Sequence, residues 1–405
     1  MNKETENKTP YEILGDKGIK DLAHAFYEAM DELPLAADIK AMHSDNLDHV
    51  KRMLAAYLTG WMGGPPVYLA IKGTVCLTEP HEPFRIGPKE RDQWLACMDA
   101  ALDKIKASDS LKKMLKEIKV DLIIILTPSG MHYDHSNLAL DYGFHVLVEK
   151  PICLLITDAK KLYKKAKDKK LVLSVGFQNR YNKAIVYLKK AVEKKLFGKI
   201  VSISVVLRWC RFQSYYSDNW HGTWKFDGGV INQQAIHHID ALNYIFGPIK
   251  KVSSFISKRL NKLEAEDTCV SIIELRDGAL CTLEATTAAR PKDFEASITV
   301  VGEKGIAKVG GIGLNKIDDW QIFKNKINIK KIKKNNSEKF DNGYGISHKK
   351  IIPLYLNQTQ NKIKNYDSVI QSISTLKLIH SIYSSSERSK VVQISSNLNS
   401  RKLGR

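Results

Sequence analysis

The sequence predicts a multidomain chain: an all-helical unit, then a short parallel α/β segment, then an α+β part built on a mainly antiparallel sheet. Three observations predict it. Apolar residues recur at three- and four-residue steps over residues 11–106, and short apolar runs alternate with amphipathic stretches after residue 118. Beyond Lys199 the pattern becomes two-residue alternation. A length of 405 residues, with 43 % hydrophobic and 26 % charged, suits several globular domains and excludes a disordered or fibrous chain.

In the first unit, Ile19, Leu22, Phe26, Met30 and Leu33 mark one helix. Leu47, Val50, Leu54, Leu58 and Trp61 mark a second, which ends at the breaker Gly63-Gly64-Pro65-Pro66. A third opens with Pro88 and carries Trp94, Leu95, Met98, Leu102 and Ile105. Strand, helix and strand follow: Val120 to Leu126, a helix near His135 to Tyr142, Val146 to Glu149, a helix over Asp158 to Lys167, and Leu171 to Gly176. Alternating runs at Val201 to Arg208, Val270 to Leu275, Ala279 to Glu284 and Ala296 to Val301 read as an antiparallel sheet, with one helix after Gly229. The boundaries expected from this are 1–108, 109–180 and 181–405.

The formal net charge is +19, but it is unevenly spread. Residues 1–106 hold 13 Lys and Arg against 17 Asp and Glu, a balance of −4, which leaves +23 for the remainder. No aromatic residues interleave the basic run Lys324 to Asn336, so a nucleic-acid partner is not expected. The apolar stretch Val120 to Pro128 is less than half of the roughly 18–20 residues that a bilayer span needs. Met1 to Glu4 lacks the apolar core of a signal peptide, so no membrane association and a cytoplasmic location are expected. The six cysteines contain no C-x-x-C pair and read as free thiols.

In the helical unit, His81-Glu82-Pro83-Phe84 places an imidazole in a proline-stiffened loop, with Tyr27, His43 and Trp94 on three other elements as polar lining of one pocket. A histidine in a loop is as readily a packing or surface residue, and Trp61 and Trp94 as readily core. Residues 9–106 resemble group II truncated haemoglobins, through Phe26-Tyr27, the run Trp61 to Tyr68, the run His81 to Gly87, and the run Glu90 to Met98. The resemblance implies a two-over-two globin with haem b, and a dioxygen or other diatomic ligand. His81 is then the iron ligand, Tyr27 and Trp94 are distal hydrogen-bond donors, and His43 stands at the mouth of the distal side. One imidazole leaves the opposite iron position open to a ligand. The long closing helix of such globins is reduced here to Asp109 to Glu117.

Three groups stand out later: Thr127-Pro128-Ser129-Gly130-Met131-His132 at a strand end, Glu149-Lys150-Pro151 at the next, and Gly228 to Asp240. The last puts Gln233, His237 and Asp240 on one helical face. A lysine and a histidine converging on one pocket suit proton abstraction from a hydroxyl. Each group alone is also an ordinary strand end or helix surface, and no metal-ligand spacing accompanies Glu149, His237 and Asp240.

Residues 112–405 resemble the inositol dehydrogenase and glucose-fructose oxidoreductase (Gfo/Idh/MocA) family, and within it the UDP-N-acetylglucosaminuronate 3-dehydrogenases. Gln178-Asn179-Arg180, Arg211 to Tyr216, Gly222-Thr223-Trp224, Phe226 to Gly229 and Val301 to Gly305 carry the likeness, with the motifs above. It implies that Lys150 and His237 are the catalytic pair and that Thr127, Pro128, His132 and Glu149 contact the nicotinamide cofactor. Arg180, Arg211, Tyr215, Gln233 and Asp240 then serve a UDP-sugar, and the sheet forms a homo-oligomer.

The family's opening G-x-G-x-x-G and the following ribose-binding acid are absent from the sequence. Gly311-Ile312-Gly313 reads instead as a hairpin or loop. The expectation is an oxygen-binding truncated haemoglobin joined, near residues 108–117, to a sugar-nucleotide dehydrogenase fragment that holds NAD weakly. An active dehydrogenase completed by a partner or by residual contacts, and a fusion without joint function, remain alternatives.

Overall fold

The computed structural model describes residues 8–44, 46–72, 81, 83–116, 120–324, 328–340, 345–395 and 398–405. It divides into two compact units, Met1–Lys119 and Val120–Arg405.

The first unit opens with α1 (Pro10–Glu32), capped reciprocally by Thr9 and Glu12: Glu12 N–H donates to Thr9 Oγ1 at 3.2 Å and Thr9 N–H to Glu12 Oε2 at 2.7 Å. Gly15, at φ 66°, breaks the helical path within it. Then come α2 (Ala37–Lys40), α3 (Asp48–Trp61), α4 (Val67–Lys72), α5 (Pro88–Lys104) and α6 (Asp109–Lys116). The apolar spacing of α1 delivers Ile19, Leu22, Phe26 and Met30 to a core shared with Leu58 of α3 and with Cys97, Ala101 and Leu102 of α5. The short α6 packs on α1 and buries Leu111. Trp61 and Trp94 are not core: they are 53 % and 37 % exposed.

The second unit begins with β1 (Leu122–Ile125), α7 (His132–Asp141), β2 (His145–Glu149), α8 (Ile156–Asp168) and β3 (Leu173–Gly176). The helical crossovers force parallel pairing, in the order β1-β2-β3. Then follow α9 (Lys183–Glu193), β4 (Ile200–Arg208), α10 (Val230–Gln233), α11 (Ile236–Phe246), β5 (Ile249–Ser257), β6 (Thr268–Leu275), β7 (Leu280–Thr286), β8 (Glu295–Gly302), β9 (Gly305–Gly310) and β10 (Lys316–Ile322). The chain continues through α12 (Ile329–Asn336), α13 (His348–Gln360), α14 (Asp367–Arg388) and β11 (Val392–Gln393).

Eight strands form one sheet, ordered β10-β9-β8-β4-β7-β6-β5-β11. Its pairs are antiparallel except β4 with β7, which run parallel. Alternate residues such as Val205, Leu207, Leu283 and Ile298 share a core with Ile239 and Leu242 of α11 and Ile379 and Ile382 of α14. The opposite face leaves Phe255, Val270, Ile272 and Leu280 exposed. Gly311, at φ 86°, lies in the turn joining β9 to β10, as its sequence suggests. The basic run ending at Asn336 contains α12, which packs on β10. On the three-stranded sheet, Ile351 and Tyr355 of α13 bury Leu147, and Tyr355 O–H donates to Val175 C=O at 2.8 Å. No helix is long and apolar enough to cross a membrane among the described residues. The five described cysteines form no disulfide.

Candidate functional site

In the first unit, α1 presents Phe26 and Tyr27 side by side, their rings edge to face at 5.2 Å. Phe26 meets Trp94 at 5.1 Å and Tyr27 meets His43 at 5.5 Å, so Tyr27 and Trp94 flank Phe26 and His43 adjoins Tyr27. His43 donates Nδ1–H to Ile39 C=O at 2.8 Å, which leaves Nε2 as the ring's acceptor. Burial pushes Tyr27 up to about 12, so its hydroxyl keeps its proton. Neither Tyr27 O–H nor Trp94 Nε1–H has a protein acceptor among the described residues. His81 is exposed and begins a turn in which Phe84 N–H donates to His81 C=O at 3.0 Å. Leu69, Ile71, Phe84, Ile86, Trp94 and Leu95 expose a third or more of their surface, a large apolar area for so small a unit. An exposed imidazole, two open donors and exposed apolar side chains are the kinds of group that a haem needs.

In the second unit, β2 ends at Glu149 and delivers Lys150 to the first residues of the Gly229 helix pair. Lys150 Nζ donates to Gln233 C=O at 3.0 Å and to Gln233 Oε1 at 2.7 Å. Burial pushes its pKa down, against the charges of Glu149 and Asp227. His237, one turn along in α11, lies with Nε2 3.5 Å from Gln178 Nε2 and has no partner for Nδ1 among the described residues. Burial holds its pKa well below the ordinary value, with the Lys150 charge adding to the effect. Two glycines make this approach feasible. Gly228 sits at φ 82°, and a Cβ on Gly229 would stand 2.1 Å from Glu266 C=O.

The expected cofactor-side residues line the same strand ends. His132 stitches two of them together, with Nδ1 2.6 Å from Pro151 C=O and Nε2 2.7 Å from Thr127 C=O. Burial depresses its pKa while those carbonyls oppose. Thr127 Oγ1 contacts His135 Nδ1 at 3.0 Å, and Pro128 leads into the turn Ser129–Met131. Glu149 Oε1 lies 3.2 Å from His348 Nε2.

Arg180 and Asp240 are each other's partners. Nε and Nη2 donate to the two carboxylate oxygens at 2.7 and 2.6 Å, both side chains are buried, and Thr375 Oγ1 donates to Asp240 at 2.8 Å. Arg211 is placed more openly: it donates to Cys210 C=O at 2.7 Å and Asp293 at 3.1 Å, and stacks over Trp209 and Tyr215. Tyr215 O–H accepts from Gln234 Nε2 at 3.3 Å and its ring lies 4.2 Å from His221.

Sequence reasoning passed over Gln178, His221, Asp227 and His348. Gln178 stands in a motif already singled out, two residues from Arg180. Asp227, whose burial raises its pKa, stands within the run Phe226 to Gly229. His348 has no local signal, being 199 residues from Glu149. The described residues contain no cluster of three or more His, Cys, Asp or Glu able to hold a metal ion.

Comparison with known proteins matches residues 9–123 to the bacterial-like globin family and residues 88–177 to an oxidoreductase family described as an NAD-binding Rossmann fold. Residues 185–308 match the GFO/IDH/MocA C-terminal domain. The group 2 truncated haemoglobin YjbI of Bacillus subtilis is 32 % identical over 106 residues, 26 % of this chain and 78 % of that protein. The crystal structure of the WlbA dehydrogenase from Bordetella pertussis, in complex with NADH and UDP-GlcNAcA, is 30 % identical with a TM-score of 0.64. The match covers 74 % of this chain and 87 % of that one. An uncharacterised oxidoreductase of Synechocystis is 25 % identical over 229 residues, 53 % of this chain and 62 % of that protein. The chain thus spans less than two thirds of that relative. A tyrosine and a tryptophan on two helices meeting at Phe26, and a lysine and histidine converging beyond a parallel sheet, agree with these matches: the chain belongs to the bacterial-like globins in its first part and to the GFO/IDH/MocA oxidoreductases in the rest.

Proposed function

We propose that the chain is a haem protein with diatomic-ligand chemistry in its first unit and a sugar-nucleotide binding site, derived from a dehydrogenase, in its second. The observation that carries the first half is the pair of donors, buried Tyr27 O–H and exposed Trp94 Nε1–H, which meet at Phe26 and have no protein acceptor among the described residues. Haem b would be held by His81, and the haem iron supplies reversible binding of dioxygen. Tyr27 and Trp94 stabilise negative charge on the bound ligand, and His43 stands beside Tyr27 at the entrance. His81→Ala should abolish the Soret band of the haem-reconstituted chain, and an unchanged ferrous spectrum in that variant overturns the ligand assignment.

In the second unit, Lys150 and His237 are the proton-handling pair for a sugar hydroxyl, with Gln233 holding the Lys150 ammonium and Gln178 facing His237. Arg211 and Tyr215 face the sugar nucleotide. Arg180 and Asp240 act behind the site, fixing α11 to the turn that holds Gln178. The residues present do not fit a whole dinucleotide: Thr127, Pro128, His132 and Glu149 serve its nicotinamide end, while the glycine-rich turn that would cradle the pyrophosphate is missing from the sequence. No hydride step is therefore assigned. The exposed apolar face of the eight-stranded sheet suits a second copy of the chain. Titration calorimetry should find UDP-N-acetylglucosaminuronate bound and NAD bound only weakly. Micromolar NAD affinity with turnover that Lys150→Ala removes would favour an active dehydrogenase instead.

A further inference from the structure

Residues 398–405 are largely at the surface, yet two of them, Ser400 and Leu403, are fully buried. Ser400 organises them: its Oγ accepts the Lys402 and Leu403 N–H groups at 3.1 Å each and donates to Glu387 at 2.5 Å, and Leu403 is fully buried. From this turn, contacts run to two different loops. Gly404 N–H donates to Trp224 C=O at 2.8 Å, and Leu403 fills the space over Gly228, where a Cβ would stand 2.9 Å from Leu403 Cδ1.

On the other side, Gly404, at φ 75°, lies against Leu154 and Leu155, where a Cβ would come within 3.0–3.2 Å. Ser400 N–H donates to His380 Nδ1 at 3.0 Å, which makes Nε2 the protonated nitrogen, and that nitrogen donates to Leu154 C=O at 2.8 Å. The loop over residues 150–155 begins with Lys150. The loop over residues 222–229 leads directly into Gln233 and His237. Lys150 reaches Gln233 across the gap between them at 2.7 Å, a contact that an ångström of drift would break.

We infer that residues 400–404 form a clasp that fixes the spacing of the loop carrying Lys150 and the loop leading to Gln233 and His237, with Leu403 and His380 as positioning residues. This rests on reading those loops as the sugar-nucleotide site.

The test is hydrogen–deuterium exchange on the full chain, with calorimetry using UDP-N-acetylglucosaminuronate. The variants are Leu403→Ala, the milder Ser400→Ala, which removes the three hydrogen bonds of Oγ and leaves Leu403 in place, and Leu403→Met as conservative control. Amides of 152–155 and of 222–229 should exchange together about tenfold faster in both Leu403→Ala and Ser400→Ala, while those of β6 and β7 stay as in the wild type. Leu403→Met should restore wild-type exchange, and ligand affinity should fall about tenfold wherever the loops loosen. Acceleration in neither loop, or in one alone, overturns the clasp, and Ser400→Ala carries this test if Leu403→Ala does not fold. If the wild-type chain does not bind the UDP-sugar while both loops still respond together, the site reading fails and the clasp stands.

Discussion

Glu266 is a fully buried carboxyl that accepts Ile231 N–H and Tyr383 O–H at 3.0 Å each, and burial pushes its pKa up to about 7. An acid with a raised pKa keeps its proton in the folded chain after the unfolded chain has released it. Folding then takes up a proton between about pH 4.5 and 7, and stability falls as pH rises through that window. The slope approaches about 1.4 kcal/mol per pH unit. Glu266→Gln keeps the acceptor and loses the titration, so its melting temperature should decline less than the wild type's over that window. Parallel curves would show that Glu266 is charged in the folded chain. None of this is legible in sequence, where Glu266 is one of 44 acidic residues. Lys150 and His237 stand in short motifs that single them out for attention, whereas nothing in the sequence signals the Arg180–Asp240 pairing. A motif names the residue and its neighbours in the chain, but it does not say which side chain across the fold will claim its hydrogen bonds.

Among the elements, β1 pairs with β2 along one edge, and no other described strand pairs with it. Ile124 is 44 % and Leu126 is 70 % exposed there, the kind of apolar edge that recruits strands from other molecules. Ile124→Lys should lower light scattering of the concentrated chain without lowering its melting temperature, and unchanged scattering would place self-association elsewhere. The short run Leu122-Ile123-Ile124-Ile125 announced itself as a strand through continuous β-branched and apolar residues. Partners were harder to read. The parallel pairing of β4 with β7 depends on chain paths that alternation does not encode, because period two is the same in both directions. The helices α13 and α14 carry mixed patterns: α13 buries only Ile351, Tyr355 and Thr359, whereas α14 is enclosed on all sides over residues 378–385, where serines and a histidine stand among the apolar residues.

At the scale of the molecule, the first unit's core draws on residues up to Leu115 and the second's on residues from Ile123 onward, with no residue in common. Haem should therefore raise one calorimetric transition, by about 2.7 kcal/mol at a hundredfold excess over its dissociation constant, and leave the other unmoved. If both transitions move together, the units share stability. The change of period near residue 118 lies beside the division at Lys119, whereas the expected first boundary was residue 108. The globin and Rossmann matches overlap over residues 88–123. The clasp has one more consequence, which concerns synthesis. His380 meets Leu154 across 226 positions, and Gly404 must reach Trp224 before the second site closes. At about 5–20 residues per second, roughly 15–60 s separate the emergence of residue 119 from that of residue 404. The ribosome thus imposes an order of birth: the helical unit can fold and take up haem while the half-made loops beside Lys150 are still waiting for the residues that hold them in place.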